Sequence, residues 1–250
     1  MMRFGMEFNQ KTNETYEVTD IFPLAFYKGK VSCHDKFKEL YFDDIKHHNE
    51  DCIKKKNPLI SLHTEEKYTM LFDSLKENLN QYMSVLGVDF TKLSYHVVKC
   101  WADYKGPDSE EVFDVNENRY DLHVPDAVHP HWHNHSELVF VYYVSANETS
   151  DKFGLENCVG NQNDPDAVLE LARANNIMTE WNKYNTKYHF HQPEEGEVII
   201  VPSKFYHFTR RTVRRVGERL AIGGDVRLTS NRNGAMQLQL SPHPSEWREL

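Results

Sequence analysis

The feature that most constrains the fold is a change in the hydrophobic period at Leu93. Before it, in residues 34–48 and 64–86, large apolar side chains recur at steps of three and four, as on one face of a helix. After it, apolar residues alternate or form short runs bounded by turn residues, which is typical of strands. The sequence therefore predicts a helical part followed by a β-sandwich or barrel that carries the helices on its outer face. The predicted strands are 93–104, 141–144, 196–203, 207–213, 218–228 and 235–240.

Local signals define the ends of several elements. Thr64 can cap the start of the second helix, and Gly87 can end it in the left-handed conformation. Asp164-Pro165 can start another helix, so residues 151–183 are predicted to be a helical insertion between two strands. Asn233-Gly234 favours a tight hairpin turn.

Domain organisation follows from the absence of internal repeats and linker-like composition. We predict a single domain over residues 1–250, with a helical N-terminal part over about 1–92. The barrel core is predicted over about 93–240 and contains the insertion.

Charge and cysteine usage narrow the class of protein. A formal net charge of −9 argues against nucleic acid or an anionic membrane as a general partner. The run RRTVRR, residues 210–215, is a local exception, which we interpret as a solvated hairpin edge. The four cysteines form no CxxC pair, and the chain has no apolar leader and no apolar stretch of 18 residues, so we expect a soluble, cytoplasmic protein.

The segment VHPHWHNH, residues 128–135, places histidines at every second position, and Glu137 follows in the same phase. On a strand these side chains would share one face. Residues two apart lie about 7 Å apart, so two neighbours can converge on one metal ion while a third cannot. An H-x-H pair is therefore a natural two-ligand unit whose third ligand must come from another part of the fold. A loop of solvated histidines explains the run equally well when it is taken alone.

The second half of the chain supplies the residues that favour a metal site. His207 follows an apolar strand that ends at Pro202, and Arg219 stands at the start of the next apolar strand. A buried guanidinium cannot discard its charge and needs an anionic partner. A ligand carboxylate held by its planar fork would meet that need.

Five phrases in this order resemble the iron(II)- and 2-oxoglutarate-dependent oxygenase superfamily, in particular bacterial and phage members with an H-x-H motif in place of H-x-D/E. The resemblance covers most of residues 20–228. It implies a mainly β fold, a double-stranded β-helix (a jelly-roll or cupin-like barrel) with N-terminal helices packed on its outer face. The helical insertion at 151–183 is this chain's own. The phrases are IFPLAFYKGKV (21–31), KCWADYKG (99–106), HWHNHSELVFVYYV (131–144), GEVIIVPSKFYH (196–207) and GERLAIGG (217–224).

The resemblance also implies a ligand set and cofactors. His131 would be the first metal ligand and His207 the distal one, and Arg219 would bind the far carboxylate of 2-oxoglutarate. His133 occupies the position that is usually acidic, and we prefer His131, His133 and His207 as the triad. The alternatives for the third ligand are His135, Glu137, water or an anion. The cofactors implied are Fe(II) and 2-oxoglutarate, with O2 as co-substrate, for the oxidation of an unactivated C–H bond.

Several aromatic residues are candidates for the substrate pocket, namely Trp101, Tyr104, Tyr142 and Trp181. Residues 151–183 could form a lid over the site, or simply pack on the barrel. We expect a small-molecule substrate, such as an amino acid or a derivative, with hydroxylation as the outcome. The sequence is also compatible with a homodimer.

Two other functions fit part of the pattern. His131-x-His133-x3-Glu137 and Gly196-x5-Pro202-x4-His207 also resemble the two cupin motifs, which can bind a metal without 2-oxoglutarate. Loss of Arg219 would discriminate, because only a 2-oxoglutarate enzyme needs that residue. A non-catalytic barrel that binds metal or a small ligand predicts metal binding without oxygen consumption.

Overall fold

A computed structural model describes residues 26–54, 61–108, 128–156, 188–211, 213–230 and 248–249, with two isolated residues, 175 and 179. Within these ranges there are two α-helices, three short 3-10 turns and nine strands. The helices are α1 (His34–Lys54) and α2 (Thr69–Val85). The turns are Leu62–Thr64, Glu66–Tyr68 and Phe90–Lys92. The strands are β1 (Tyr27–Lys30), β2 (Leu93–Lys105), β3 (Leu138–Ser145), β4 (Lys152–Glu156), β5 (Tyr188–His191), β6 (Glu197–Pro202), β7 (His207–Arg210), β8 (Arg219–Ser230) and β9 (Arg248–Glu249).

The strands form two antiparallel sheets. The larger has the order β1-β6-β3-β8-β2-β9 and the smaller has the order β5-β4-β7. Phe153 on β4 belongs to one buried cluster with Val139, Ile199 and Ala221 of the larger sheet, so the inner faces of the two sheets pack together. The periodicity predicted a β-sandwich or barrel, and the two packed sheets agree with the jelly roll that the resemblance implied.

The outer face of the larger sheet is covered by the two helices. Leu220, Ile222 and Val226 of β8 lie in one buried cluster with Phe37 of α1 and Leu75 of α2. Because side chains alternate along a strand, the intervening residues of β8 face the barrel interior. The two faces of β8 thus serve different purposes, one holding the helices and the other lining the barrel.

Helix α1 confirms the helix predicted over 34–48, with Phe37 and Ile45 buried, but Leu40 of the predicted stripe is 51% exposed. Gly87 has a φ of 73°, the left-handed conformation predicted at the end of the second helix. The predicted start of that helix is wrong. Two 3-10 turns fill 62–68, and α2 begins at Thr69 without a side-chain cap. Thr64 instead donates its hydroxyl to Ser61 O within the first turn.

Strands β1 and β4 lie in segments predicted to be helical. β4 occupies 152–156, the beginning of the predicted insertion, and pairs with both β5 and β7. Its five residues are too few to show a period in the sequence, and Gly154 interrupts the apolar pattern. A glycine is needed at this position because the ring of Phe208 lies where a Cβ would be. The helix predicted from Asp164, the turn at Asn233-Gly234 and the strand at 235–240 lie outside the described residues. None of the helices within the described ranges is long and apolar enough to cross a membrane.

Candidate metal centre and the barrel interior

Three histidines from two distant parts of the chain converge at one end of the barrel. His131, His133 and His207 each offer a ring nitrogen, and these three atoms lie within 4.8 Å of one another. The ring centroids are 4.4 Å apart for His131 and His207, 5.0 Å for His133 and His207, and 5.1 Å for His131 and His133. This spacing is suited to a single metal ion bound by neutral imidazoles.

The backbone of the histidine run is held by hydrogen bonds to another segment, and it is not the strand that the alternation predicted. His131 forms an isolated bridge with His207, in which each amide N–H donates to the other residue's carbonyl at 3.1 and 3.0 Å. The amide of His133 donates to Ser203 O at 2.9 Å. These backbone contacts between 131–133 and 203–207 therefore bring His207 close to His131 and His133.

The Nδ1 atom of each histidine already has a partner, so each Nε2 is available as a ligand. His131 Nδ1–H donates to His129 O at 2.8 Å, and His207 Nδ1–H donates to Phe205 O at 2.9 Å. A carbonyl can only accept, which places the proton on Nδ1 and leaves a lone pair on Nε2. His133 Nδ1–H donates to the buried carboxylate of Asp225. Its Nε2 is buried and has no hydrogen-bond partner, which fits a metal ligand.

Burial favours the neutral, ligating form of two of these rings. Desolvation lowers the pKa of His207 to about 4, and the nearby rings of His131 and His133 act in the same direction. Desolvation also lowers the pKa of His131. Both imidazoles are therefore neutral at neutral pH even before a metal binds.

The two alternative ligands are not part of this group. Glu137 is exposed and accepts the amide N–H of Leu228 through Oε2 at 2.8 Å. His135 does not belong to the three-histidine group found among the described residues.

Arg219 lies on the same inner face of β8 as Asp225, six residues earlier, which is about 20 Å along the strand. Its guanidinium is buried and donates through Nη1 to Asp103 Oδ2 at 2.6 Å. Asp103 is thus a protein partner that the sequence analysis missed. The ring of Tyr143 lies 5.5 Å from the guanidinium carbon, and Tyr143 Oη and Arg219 Nε are both buried without a hydrogen-bond partner. Two orphaned donors at one place fit a ligand carboxylate.

The interpretation of RRTVRR as a solvated hairpin edge is wrong for part of the run, because two of its arginines belong to a largely buried charged cluster. Arg215 is 2% exposed and Asp151 is 2% exposed, so both belong to the interior. Asp108 accepts from Arg215 Nη2 at 3.1 Å and from Arg211 Nη1 at 3.0 Å. Arg214, by contrast, is exposed. Two of the arginines in the run therefore form an ion-pair network that the sequence did not reveal, because Asp108 and Asp151 are distant in the chain.

The four predicted pocket residues have different positions. Trp101 faces the interior and stacks on His133, with ring centroids 5.7 Å apart and 21° between the planes. Tyr104 and Tyr142 lie on the other face of the sheet, against α1. The hydroxyl of Tyr104 donates to Glu218, and that of Tyr142 bonds to His34 Nδ1 at 2.8 Å. Trp181 lies outside the described residues.

The sequence analysis missed Asp225, Asp103 and Tyr143. A signal for Asp225 was present, because a strand starting at Arg219 puts every second residue, and so Asp225, on the same face. For Tyr143 there was none, since all the residues of VYYV are apolar or aromatic and alternation cannot identify the inner face.

Comparisons with known proteins agree with this fold. Residues 122–225 match a family model described as "Putative 2OG-Fe(II) oxygenase", a match that covers less than half of the chain. No curated protein matches the chain in sequence. The epimerase SnoN from nogalamycin biosynthesis, solved with Fe3+, alpha ketoglutarate and nogalamycin RO, has a TM-score of 0.50 and 8% identity, covering 90% of this chain and 94% of its own. At that identity the likeness supports the fold alone.

Two other solved structures are less similar in three dimensions. A prolyl-4-hydroxylase from Pseudomonas putida has a TM-score of 0.44 and 14% identity over 84% of this chain and 89% of its own. HygX from Streptomyces hygroscopicus, solved with nickel and 2-oxoglutarate, has a TM-score of 0.45 and 14% identity over 81% of each chain.

The family match covers the part of the chain that holds the three histidines. Residues 122–225 are similar to the Fe(II)- and 2-oxoglutarate-dependent oxygenases that this family model describes. Oxygenases of this description use Fe(II), 2-oxoglutarate and O2.

Proposed function

We propose that His131, His133 and His207 bind Fe(II) through their Nε2 atoms and that Arg219 and Tyr143 bind the far carboxylate of 2-oxoglutarate. The observation that carries the proposal is the convergence of three Nε2-directed imidazoles, each with Nδ1 already occupied. Iron with 2-oxoglutarate and O2 supplies the oxidising power for attack on an unactivated C–H bond, with release of succinate and CO2.

The chain's own residues account for binding and orientation. His131 and His207 are held by backbone carbonyls, and His133 is held by Asp225, so the ligand geometry is set before the metal arrives. Trp101 covers one face of the His133 ring and restricts access of water to it. At the other end of the inner face of β8, Arg219 Nε and Tyr143 Oη offer two donors to a carboxylate.

We propose hydroxylation of a small molecule, such as an amino acid or a derivative, as the reaction. Support for this substrate class comes from the net charge of −9, which favours a small or cationic substrate over a polyanion. We also propose residues 151–183 as a lid over the site; of these, 152–156 form β4 of the smaller sheet.

The test is an anaerobic titration of the purified protein with Fe(II) and then with 2-oxoglutarate, followed by the weak visible absorption of the chelate. We expect a saturable band in the wild type, no band in His207→Ala, and a band that needs far more 2-oxoglutarate in Arg219→Ala. Arg214→Ala is the matched control, because Arg214 is a nearby arginine that is exposed. Succinate release on adding O2 would then be screened with a panel of amino acids.

Each alternative predicts a different result. Iron binding without a 2-oxoglutarate band would favour a cupin-type oxygenase, or a non-catalytic barrel if no oxygen is consumed. A wild type that binds no iron would contradict the metal centre itself.

A further inference from the structure

Asp225 is a buried carboxylate that contacts the metal centre from outside the ligand group. It is 2% exposed and lies on the inner face of β8, where its backbone pairs with Val139 of β3 and Lys99 of β2. Its Oδ1 accepts the Nδ1–H of His133. Because both neighbouring strands hold its backbone, Asp225 is a fixed reference for the orientation of the ring.

The contact is on the side of the His133 ring away from the metal position. Nδ1 and Nε2 point in different directions from the imidazole, so a carboxylate bonded to Nδ1 does not also reach an ion on Nε2. The stacked ring of Trp101 limits rotation of His133 about this bond. Trp101 in turn lies over Gly223, where a Cβ would be 2.8 Å from its Cε2.

The chemistry of the ligand set suggests why this carboxylate is needed. Three neutral imidazoles leave a divalent ion with its full charge, whereas the H-x-D/E motif usual in the superfamily places one negative charge among the ligands. In this chain the position is His133, and a buried carboxylate contacts that histidine directly. A histidine that donates to a carboxylate is a more basic ligand, because negative charge is passed to the metal side of the ring.

We propose that Asp225 is a positioning residue that orients His133. It also supplies the negative charge that the ligand set lacks, acting through His133 and not as a ligand itself. The inference rests on the proposed function, since it assumes that His131, His133 and His207 bind the ion. It adds that in this chain the acidic group stands on β8 behind the ligand position instead of at that position.

The first experiment measures metal affinity without 2-oxoglutarate, by anaerobic titration with Co(II) followed by its visible absorption and by calorimetry. We expect Asp225→Ala to weaken Co(II) binding by about 10- to 100-fold. Asp225→Asn retains an acceptor but removes the charge, so we expect a loss here too, with a shift of the Co(II) bands. The matched control is Glu197→Gln, because Glu197 is also a buried inner-face carboxylate bonded to a histidine, His191, at 2.7 Å. We expect wild-type affinity for this variant.

The second experiment places a carboxylate at the ligand position 133 and removes the one at position 225. His133→Asp alone places two carboxylates side by side and should bind Co(II) poorly. His133→Asp combined with Asp225→Asn restores one negative charge, now as a ligand, and should bind more tightly than either single variant. Melting temperatures of all variants verify that each is folded.

The results separate the inference from the proposed function. If the wild type binds Co(II) and the Asp225 variants bind equally well, the inference is overturned and the histidine centre stands. If the losses of the two single variants simply multiply in the double variant, the exchange of charge is overturned. A wild type that binds no metal would overturn the proposed function and the inference with it.

Discussion

Arg219 and Asp103 form an ion pair inside the barrel, with Arg219 Nη1 donating to Asp103 Oδ2 at 2.6 Å. The guanidinium is 2% exposed, yet its Nε has no hydrogen-bond partner. Burial opposes the charge of Arg219, but Asp103 outweighs this and raises the pKa of the guanidinium. The arginine is therefore charged. Its Nη1 is held by Asp103, and its Nε is available to a ligand.

We expect Arg219→Ala to weaken 2-oxoglutarate binding by about 10- to 100-fold, since a charge-assisted hydrogen bond contributes about 1.5–3 kcal/mol. Asp103→Asn should instead lower the dissociation constant of 2-oxoglutarate, because the positive charge of the Arg219 guanidinium is then no longer compensated by a protein carboxylate. Anaerobic 2-oxoglutarate titrations of the Fe(II)-loaded variants measure both. Equal weakening by the two substitutions would mean that Asp103 acts mainly to position the arginine.

Gly223→Ala should disturb the metal centre through Trp101. A Cβ at this position would lie 2.8 Å from Trp101 Cε2 and Cζ2, and the ring cannot yield without leaving His133. We expect a loss of about 1–3 kcal/mol in the free energy of unfolding, together with weaker Co(II) binding. In the control Gly106→Ala the new Cβ meets only Tyr104 Oη, at 3.6 Å, and the free energy of unfolding should be unchanged. An unaffected Gly223→Ala variant would show that Trp101 is free to move.

The metal-free protein should lose stability as the pH falls from about 6.5 towards 4. Burial lowers the pKa of His207 from 6.5 to about 4, so in this range the unfolded chain takes up a proton that the folded chain does not. Stability therefore falls with acid, by up to roughly 3 kcal/mol for this group. Urea denaturation in the presence of a chelator, at several pH values, measures the slope. His207→Gln should show a shallower slope, and parallel curves for the two proteins would contradict the assignment.

The ion pairs of Arg215 should contribute to stability. Arg215→Ala leaves the partly buried carboxylate of Asp108 and the buried carboxylate of Asp151 without one of their cations. We expect a loss of about 3 kcal/mol in the free energy of unfolding. Arg214→Ala, at the exposed neighbour, should change it by less than about 0.5 kcal/mol. Denaturant titrations of both variants test this expectation, and similar losses would restore the interpretation of the run as a surface feature.

Much of the fold was predictable because it depends on local periodicity. The change of period at Leu93 separated helix from strand, and the long strands β2, β3, β6 and β8 each contain enough residues to show their character. The short strands β1, β4, β5 and β9 were not predicted, because two to five residues carry little periodic signal and pairing with neighbours decides their conformation.

For the site, the sequence by itself determined the residue types and their order along the chain: an H-x-H pair, a distal histidine and an arginine opening an apolar strand. Only the tertiary structure decided which groups meet. It pairs His131 with His207, places Asp225 behind His133, and gives Arg219 a partner in Asp103. It also decided that Tyr143 faces the interior while Tyr142 faces the helices. The physical reason is that β3 is buried on both faces, so its hydrophobic pattern carries no information about which side encloses the barrel.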